Sequence, residues 1–267
     1  MKELNGKELA GFIKERQANQ VANIKKKPKL LIIRDSDNPV ITKYVQLKIE
    51  YGKDIGVNVE DFRANSTLEI AEKIKSANDD PDINGIIIQL PLIDKKKTDE
   101  LCNLITPNKD VDGLGENAAF DSATATAILW LLSGYDIKLT NQKIAIVGRG
   151  KLVGKPLFKM FTNSGYDINL FHRGDDLTKL KQYDIIITAT GIPGLIVDSM
   201  IKPGAVLIVA GTASEDGVLK GDVAEEVRKR TDLSAITPIT GGVGPLPVTC
   251  LFDHVIQSAT LNLKNSS

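Results

Sequence analysis

The stretch IAIVGRGKLVGKPL, residues 144–157, passes from an apolar segment through three glycines into a segment with helical spacing. Gly148, Gly150 and Gly154 form the pattern G-x-G-x-x-x-G, which is one residue longer than the dinucleotide-binding fingerprint G-x-G-x-x-G. Glycines permit a tight turn and a close backbone approach, and the amides that open a helix attract phosphate. We therefore predict a strand, a loop and a helix that bind a nucleotide. A simple strand–helix turn is the alternative.

The chain on both sides of this stretch alternates between short apolar runs and helical patterns. Strands are predicted at residues 29–35, 57–62, 85–92, 143–148, 167–171, 184–190 and 205–211. A helix is predicted at 39–55, with Asn38 as its N-cap and Gly56 at its end. Further helices are predicted at 122–133 and 248–264. This alternation indicates an α/β fold with parallel sheets.

Two α/β domains that flank a cleft are the predicted organisation. Residues 1–119 plus 248–267 would form one domain, and residues 120–247, which contain the glycine loop, would form the other. The division rests on the second run of strand and helix patterns, which begins near residue 120. A chain of 267 residues is long enough to give each domain its own core.

The composition excludes several classes of function. Lys plus Arg total 34 and Asp plus Glu total 34, so no net charge favours nucleic acid or a membrane surface. The two histidines and two cysteines show no metal-ligand spacing, and no metal site is predicted. The longest apolar runs are shorter than a membrane span. The first residues, MKELNGKEL, match no targeting pattern, so a cytoplasmic location is expected.

The residues after the second strand of the nucleotide unit suggest a choice of cofactor. An NAD site usually places an acid there, but this strand ends in LFHRG with His172 and Arg173. Arg149 adds a second guanidinium from the glycine loop. Two guanidinium groups suit the 2′-phosphate of NADP, because each can grip it with two hydrogen bonds. Surface arginines in salt bridges are the alternative.

Polar residues of the N-terminal half form a second candidate site. Tyr44 and Lys48 share one helix face; a buried lysine can handle protons, and tyrosine can stack on an aromatic ligand. Gln89 interrupts an apolar strand near its C-terminal end, where α/β sheets bind ligands. Asp110 and Asp112 could each accept two hydrogen bonds from a guanidine-like ring edge. An amphipathic helix edge and turn-forming aspartates remain the alternatives.

Taken together, the motifs resemble the bifunctional methylenetetrahydrofolate dehydrogenase/methenyltetrahydrofolate cyclohydrolase family over nearly the whole chain. The motifs that carry the resemblance are Tyr44-x-x-x-Lys48, GIIIQLPL, TPNKDVDG, VGRGKLVGKP, ATGIPG, IKPGAV and ITPITGGVGP. The resemblance implies a Rossmann-like C-terminal domain that binds NADP, a folate substrate in the cleft, and a homodimer. It also implies two activities, the oxidation of methylenetetrahydrofolate and the hydrolysis of the methenyl product to formyltetrahydrofolate.

The resemblance also implies residue roles. Lys48 would handle protons during hydrolysis, Gln89 would hydrogen-bond and tune Lys48, and Tyr44 would stack on the folate and orient it. Asp112 would hold the amino-pteridine edge. The implied substrate-side loop contains Gly241, Gly242, Gly244 and Pro245. The implied cofactor-binding residues are Gly148, Arg149, Gly150, Val153, Gly154, His172, Arg173, Thr190 and Gly191.

Several positions depart from the family pattern, mostly on the cofactor side. Gly150 replaces a serine, Val209 replaces an aspartate and Pro247 replaces a threonine. One hypothesis is therefore a cyclohydrolase with a weakened dehydrogenase activity. Two other readings are a folate- or nucleotide-binding relative without turnover, and a different two-domain NADP dehydrogenase that acts on a shikimate-like hydroxy acid.

Overall fold

The computed structural model describes residues 1–215 and 218–265, which contain strands and helices in alternation. The strands are β1 Lys2–Glu3, β2 Lys29–Arg34, β3 Asn58–Arg63, β4 Gly85–Ile88, β5 Ile144–Val147, β6 Ile168–Phe171, β7 Ile185–Thr188, β8 Val206–Val209, β9 Thr212–Glu215, β10 Val218–Gly221 and β11 Ala235–Ile236. The helices are α1 Gly6–Ala22, α2 Pro39–Ile55, α3 Thr67–Asp79, α4 Thr98–Cys102, α5 Ala123–Gly134, α6 Gly154–Asn163, α7 Glu225–Arg228 and α8 Pro245–Asn265. The predicted α/β class is confirmed.

The chain divides into two compact units, and the division differs from the predicted one at the N-terminus. One unit contains Phe12–Ala123 and the chain from Val248 onward, and the other contains Met1–Gly11 with Thr124–Pro247. The first eleven residues belong with the nucleotide unit because β1 pairs in parallel with β11. A two-residue strand has no periodic pattern, so the sequence did not indicate this pairing.

The unit that begins at Phe12 is built on a three-stranded parallel sheet in the order β3-β2-β4. The chain leaves β2 for β3 on one side and then returns to β4 on the other side. Ligands bind at such a reversal of strand order, outside the carboxyl ends of the strands. Arg34 and Ile88 are the last residues of β2 and β4, so the segments that follow them lie at the predicted ligand-binding edge.

Helix α2 follows β2 and has the ends that the sequence predicts. The Asn38 side chain accepts a hydrogen bond from the Val40 amide (2.9 Å), and Gly56 has a positive φ of 85° after the last turn. The buried residues of the helix are Ile41, Val45, Gly52 and Ile55, which lie on one face. The packing of this face on the unit's core leaves Tyr44 about half exposed.

The other unit is built on a six-stranded sheet in the order β1-β11-β8-β7-β5-β6, with every neighbouring pair parallel. The chain goes from β5 to β6 and then crosses back to β7, so the order reverses between β5 and β7. Strands β5, β7 and β8 are buried along their whole length, which explains their continuous apolar sequences. This is the Rossmann-like architecture, with its ligand edge after β5, β6 and β7.

Three elements differ from the sequence predictions. The strand expected at 85–92 ends at Ile88, and the final helix begins at Pro245 rather than at 248. Strands β9 and β10 form an antiparallel pair in a segment for which no element was predicted. Each difference concerns a boundary or a short element, where local sequence is least informative.

Candidate active site

A cavity of about 570 Å³ lies at the carboxyl ends of β5, β6 and β7. Its walls include Gly148–Gly150 after β5, His172–Asp175 after β6, and Ala189 and Thr190 after β7. The cavity therefore lies where the strand order reverses, which is the position at which such sheets bind nucleotides. Of the predicted cofactor residues, it brings together Gly148, Arg149, Gly150, His172, Arg173 and Thr190.

The glycine loop contains two positions that exclude a side chain and one that does not. A Cβ atom at Gly154 would overlap the carbonyl oxygen of Gly148, and Gly148 itself has a φ of 115°. A Cβ atom at Gly150 would have no heavy atom within 4 Å. The close approach of Gly148 and Gly154 is what allows helix α6 to begin against the loop.

This difference predicts opposite outcomes for two similar substitutions. Gly154→Ala should raise the Kd of the dinucleotide about tenfold or more, because the loop must shift to relieve the overlap. Gly11→Ala on α1 is the matched control and should bind within about twofold of the unchanged protein, since a Cβ atom there also has no heavy atom within 4 Å and Gly11 lines neither cavity of the nucleotide unit. Isothermal calorimetry with NADP measures both. Equal losses would show that crowding at Gly154 does not govern the loop.

A second cavity of about 350 Å³ adjoins the same loop and includes Val153 and Gly191, two of the three remaining predicted cofactor residues; the third, Gly154, lines neither cavity. The segment Thr190–Ile192 at the edge of this cavity is held by Asp222, a residue that the sequence did not indicate. Asp222 is fully buried and accepts hydrogen bonds from the amides of Thr190 (2.8 Å) and Ile192 (3.1 Å). Asp222 lies about thirty positions along the sequence from Thr190 and Ile192. No local sequence pattern could therefore predict these hydrogen bonds.

Arg149 and Arg173, the two cations predicted to bind the 2′-phosphate of the cofactor, both lie in the wall of the first cavity. Asp175, an acid, lies in the same wall. Across residues 1–215 and 218–265, the guanidinium groups of Arg149 and Arg173 take part in no ion pair. Asp175 lines the same cavity, and its carboxylate accepts a hydrogen bond from the His172 amide (2.7 Å). The expectation that no acid stands at the end of β6 is therefore corrected, because a turn returns Asp175 to that point.

The second candidate site lies in the other unit, at the carboxyl ends of β2 and β4. The Lys48 ammonium, on α2, donates a hydrogen bond to Oε1 of Gln89 at 2.8 Å, directly after β4. The Tyr44 ring centroid is 6.0 Å from Nζ of Lys48. Asp112 is close enough for its charge to act on Lys48. The structure therefore brings Tyr44, Lys48, Gln89 and Asp112 together.

Burial acts on both charged members of this cluster. Desolvation lowers the pKa of Lys48, and the Asp112 carboxylate only partly opposes the change. Desolvation also raises the pKa of Asp112 to about 6, although Lys48 lowers it and Asp110 adds to the rise. Among the described ranges 1–215 and 218–265, no group donates a hydrogen bond to the Asp112 carboxylate. The lowered pKa of Lys48 suits this lysine to proton handling. The Asp112 carboxylate, which accepts no hydrogen bond from the described residues, is suited to ligand binding.

The loop that contains Asp112 is held in place by hydrogen bonds of the two neighbouring residues Asp110 and Lys109. The Asp110 carboxylate accepts hydrogen bonds from the amides of Gly113, Leu114 and Gly115, the last at 2.7 Å. The buried Lys109 ammonium donates to three carbonyl oxygens at the end of α3, at 2.7–2.9 Å. Asp110 is thus a structural residue, and Asp112, the aspartate that the resemblance assigns to the substrate, is left for a ligand.

His254 on α8 fixes the same loop and was not predicted. Its Nδ1 atom lies 2.8 Å from the carbonyl oxygen of Val111, between the two aspartates, and its ring stacks on Phe120. Burial lowers the pKa of His254, so the neutral ring is favoured, with Nδ1–H as the donor to Val111. A histidine in an apolar stretch of helix has no sequence signal that would reveal this contact.

Gly241, Gly242 and Pro245 belong to the nucleotide unit, outside the cluster around Lys48. Gly241 has a φ of 81°, and its carbonyl oxygen accepts a hydrogen bond from the Lys7 amide at 2.9 Å. A Cβ atom at Gly6 would overlap the Gly242 carbonyl oxygen, so the start of α1 lies directly against this loop. Gly6 is a further residue that the sequence analysis missed.

Residues 1–215 and 218–265 offer neither a metal site nor a membrane-spanning helix. No group of three or more His, Cys, Asp or Glu side chains in this part of the chain is arranged to hold a metal ion. No helix in the same part is long and apolar enough to span a membrane.

A Rossmann-like sheet with a cavity at its reversal point, and a second α/β unit with a partly buried lysine–amide pair, define a two-unit dinucleotide-dependent enzyme. Comparison with known protein families identifies the family to which this enzyme belongs. Residues 4–112 match the tetrahydrofolate dehydrogenase/cyclohydrolase catalytic domain, and residues 122–263 match the NAD(P)-binding domain of the same family. The chain belongs to the tetrahydrofolate dehydrogenase/cyclohydrolase family, and the predicted family, enzyme class and nicotinamide dinucleotide cofactor are confirmed.

Individual relatives agree over nearly the full length. The bifunctional protein FolD of Lactobacillus acidophilus is 35% identical, with 95% of each chain covered. The bifunctional FolD methylenetetrahydrofolate dehydrogenase/cyclohydrolase of Campylobacter jejuni is 31% identical, with a TM-score of 0.93 and 98% and 99% of the two chains covered. The Trypanosoma brucei FolD, solved with NADP and an inhibitor, is 25% identical, with a TM-score of 0.88 and 97% coverage of both chains. These similarities favour neither a weakened dehydrogenase nor a relative without turnover.

Proposed function

We propose that this chain oxidises methylenetetrahydrofolate with NADP and hydrolyses the methenyltetrahydrofolate product to formyltetrahydrofolate. The observation that carries the proposal is the hydrogen bond from Lys48 to Gln89 beside Asp112, within the part of the chain that matches the family's catalytic domain. It supports a proton-handling lysine at a ligand-binding edge. The nucleotide cavity supports the redox half of the proposal.

The oxidation needs positioning more than acid catalysis, because the lone pair of the folate nitrogen assists the departing hydride. NADP supplies the hydride acceptor when it is bound. Arg149 and Arg173 would hold its 2′-phosphate, and the bare backbone at Gly148 and Gly150 would allow the phosphates to approach. The residues present therefore fit the cofactor in charge and in space.

The hydrolysis is proposed to depend on Lys48. The methenyl carbon is cationic and electrophilic, so water adds to it and loses a proton to give a neutral adduct. The second O–H proton is lost as one carbon–nitrogen bond of the bridge breaks and the freed nitrogen takes up a proton, which gives the formyl product and releases one proton overall. The lowered pKa of Lys48 makes its neutral amine available to accept one of these O–H protons. Gln89 accepts a hydrogen bond from Nζ and so orients the amine toward the ligand edge.

Substrate binding is assigned to the groups around this lysine. Asp112 would accept two hydrogen bonds from the amino-pteridine edge, and the half-exposed Tyr44 ring would stack on the folate. Gly241, Gly242 and Pro245 would shape a substrate-side loop in the other unit. These roles follow the family resemblance, and the unused Asp112 carboxylate supports them.

An absorbance assay of the purified protein tests the proposal. One cuvette contains methylenetetrahydrofolate with NADP, and a second contains methenyltetrahydrofolate alone, with its slow uncatalysed hydrolysis subtracted. Reduction of NADP in the first and accelerated hydrolysis in the second are expected. Activity in neither cuvette would overturn the proposal, and activity in only one would remove the other half of it.

A substitution in the cofactor cavity tests the choice of NADP. Arg173→Ala should raise the KM for NADP about ten- to hundredfold, because a charged hydrogen bond to the 2′-phosphate is lost, and should change the KM for NAD little. Arg16→Ala, which removes an exposed guanidinium on α1, is the control and should alter neither KM. An equal rise for both cofactors would show that Arg173 does not contact the 2′-phosphate.

We also propose a homodimer located in the cytoplasm. The dimer follows from the family resemblance, and the cytoplasmic location is supported by two buried cysteines, Cys102 and Cys250, that form no disulfide. Light scattering coupled to gel filtration tests the dimer. A mass near the 29.0 kDa of one chain would contradict it.

A further inference from the structure

We propose that Asp175 limits the preference of this chain for NADP, so that NAD is accepted as a second cofactor. The inference rests on the proposed function, because it assumes that the cavity after β5, β6 and β7 binds the adenosine half of the cofactor. It assigns to one carboxylate a role that opposes the role of Arg149 and Arg173.

The position of Asp175 is set by a turn at the end of β6. The Asp175 amide donates a hydrogen bond to the His172 carbonyl oxygen (3.1 Å), and the His172 amide donates to Oδ2 of Asp175 (2.7 Å). This pair of hydrogen bonds folds the carboxylate back onto the end of the strand, although Asp175 comes four residues after Phe171. An acid at the end of the second strand is the group that binds the ribose 2′-hydroxyl in NAD sites.

The charges around the cavity act in opposite directions. The cavity contains two guanidinium groups, from Arg149 and Arg173, and one carboxylate, from Asp175. Among residues 1–215 and 218–265, only Oδ2 of that carboxylate accepts a hydrogen bond, so Oδ1 can accept one from a ligand hydroxyl. A 2′-phosphate would be attracted by the guanidinium groups and repelled by the carboxylate, whereas a 2′-hydroxyl could donate to Oδ1.

The histidine in the same turn does not cancel the carboxylate. Nδ1 of His172 is 3.5 Å from Oδ2 of Asp175 and 3.1 Å from the Arg173 carbonyl oxygen. A neutral ring with its proton on Nδ1 can donate to that carbonyl and leaves the charge of Asp175 in place. The other charged side chains of the turn are one cation, Arg173, and one anion, Asp175.

The substitution Asp175→Asn tests this inference, because asparagine can keep the turn through its side-chain oxygen while the charge is removed. The Kd values of NADP and NAD are measured by isothermal calorimetry, alongside kcat/KM for each cofactor. The ratio of the NAD Kd to the NADP Kd should rise about tenfold, through tighter NADP and weaker NAD binding.

Asp176→Asn is the matched control. The Asp176 carboxylate accepts hydrogen bonds from the Thr178 amide (3.0 Å) and hydroxyl (2.6 Å), at the start of the 3-10 segment Leu177–Gln182. Asparagine also caps such a segment well, and the Kd ratio should stay unchanged. A ratio that stays unchanged or falls in Asp175→Asn would overturn the inference, and so would an equal rise in both variants.

The binding measurement separates this inference from the proposed function. If the unchanged protein binds both cofactors but oxidises no folate, the proposed function fails, and the shift in the Kd ratio still decides the role of Asp175. If it oxidises methylenetetrahydrofolate and Asp175→Asn leaves the ratio unchanged, the proposed function stands and the inference fails.

Discussion

Replacement of Lys48 by methionine is expected to lower cyclohydrolase turnover roughly 10²- to 10⁴-fold, the range that one general acid–base group contributes. The ammonium makes one hydrogen bond, to Gln89, and desolvation lowers its pKa toward the range in which an amine can accept a proton. Methionine has a similar length and no proton to exchange. Folate binding should persist at a pH well above the pKa of Asp112, because Tyr44 is unchanged and the Asp112 carboxylate stays charged there, although the loss of Lys48 removes a charge that lowers this pKa.

The rate of methenyltetrahydrofolate hydrolysis measures this effect, with kcat and KM determined separately. Lys43→Met is the matched control, since Lys43 is an exposed lysine on the same helix. The control should retain its kcat. A Lys48→Met protein with the hydrolysis rate of the unchanged enzyme would refute the role of Lys48, and a rise in KM with an unchanged kcat would make Lys48 a substrate-binding residue instead.

Replacement of Asp112 by alanine is expected to raise the folate KM about ten- to hundredfold, the value of a charged hydrogen-bonding group at a binding site. Its neighbour Asp110 cannot substitute, because the Asp110 carboxylate is occupied by the amides of Gly113, Leu114 and Gly115. The effect should appear in KM rather than in the NADP Kd. A folate KM close to that of the unchanged enzyme would remove Asp112 from the substrate site.

The pH dependence of the folate KM gives a second test of Asp112. Burial raises its pKa to about 6, so the carboxylate is charged above that pH and becomes neutral as the pH falls through it. The KM of the unchanged enzyme should therefore be flat above about pH 6 and rise below it. In Asp112→Asn the KM should be high and lack this inflection. An identical inflection in the variant would assign it to another group.

Local rules predicted much of the fold before any contact was known. Asn38 and Gly56 delimit α2 because a side-chain cap and a left-handed residue act within a few positions of the helix end. The glycines at 148 and 154 indicated a tight strand–helix junction for a similar reason, and their close approach is observed. The two-residue strands β1 and β11 escaped prediction, since two residues cannot show a period.

Sequence by itself determined the family, the order of strands and helices, and the residue types available for chemistry, because motifs and periodicity are written along the chain. Only the tertiary structure decided which of those groups meet. Lys48 and Gln89 are 41 residues apart, and their hydrogen bond joins helix α2 to the segment that follows β4. The fold of the loop after Asp110 directs its amides to the Asp110 carboxylate and leaves Asp112 for a ligand, and a turn returns Asp175 to the cofactor cavity. Such contacts depend on distances in space, which a one-dimensional pattern does not contain.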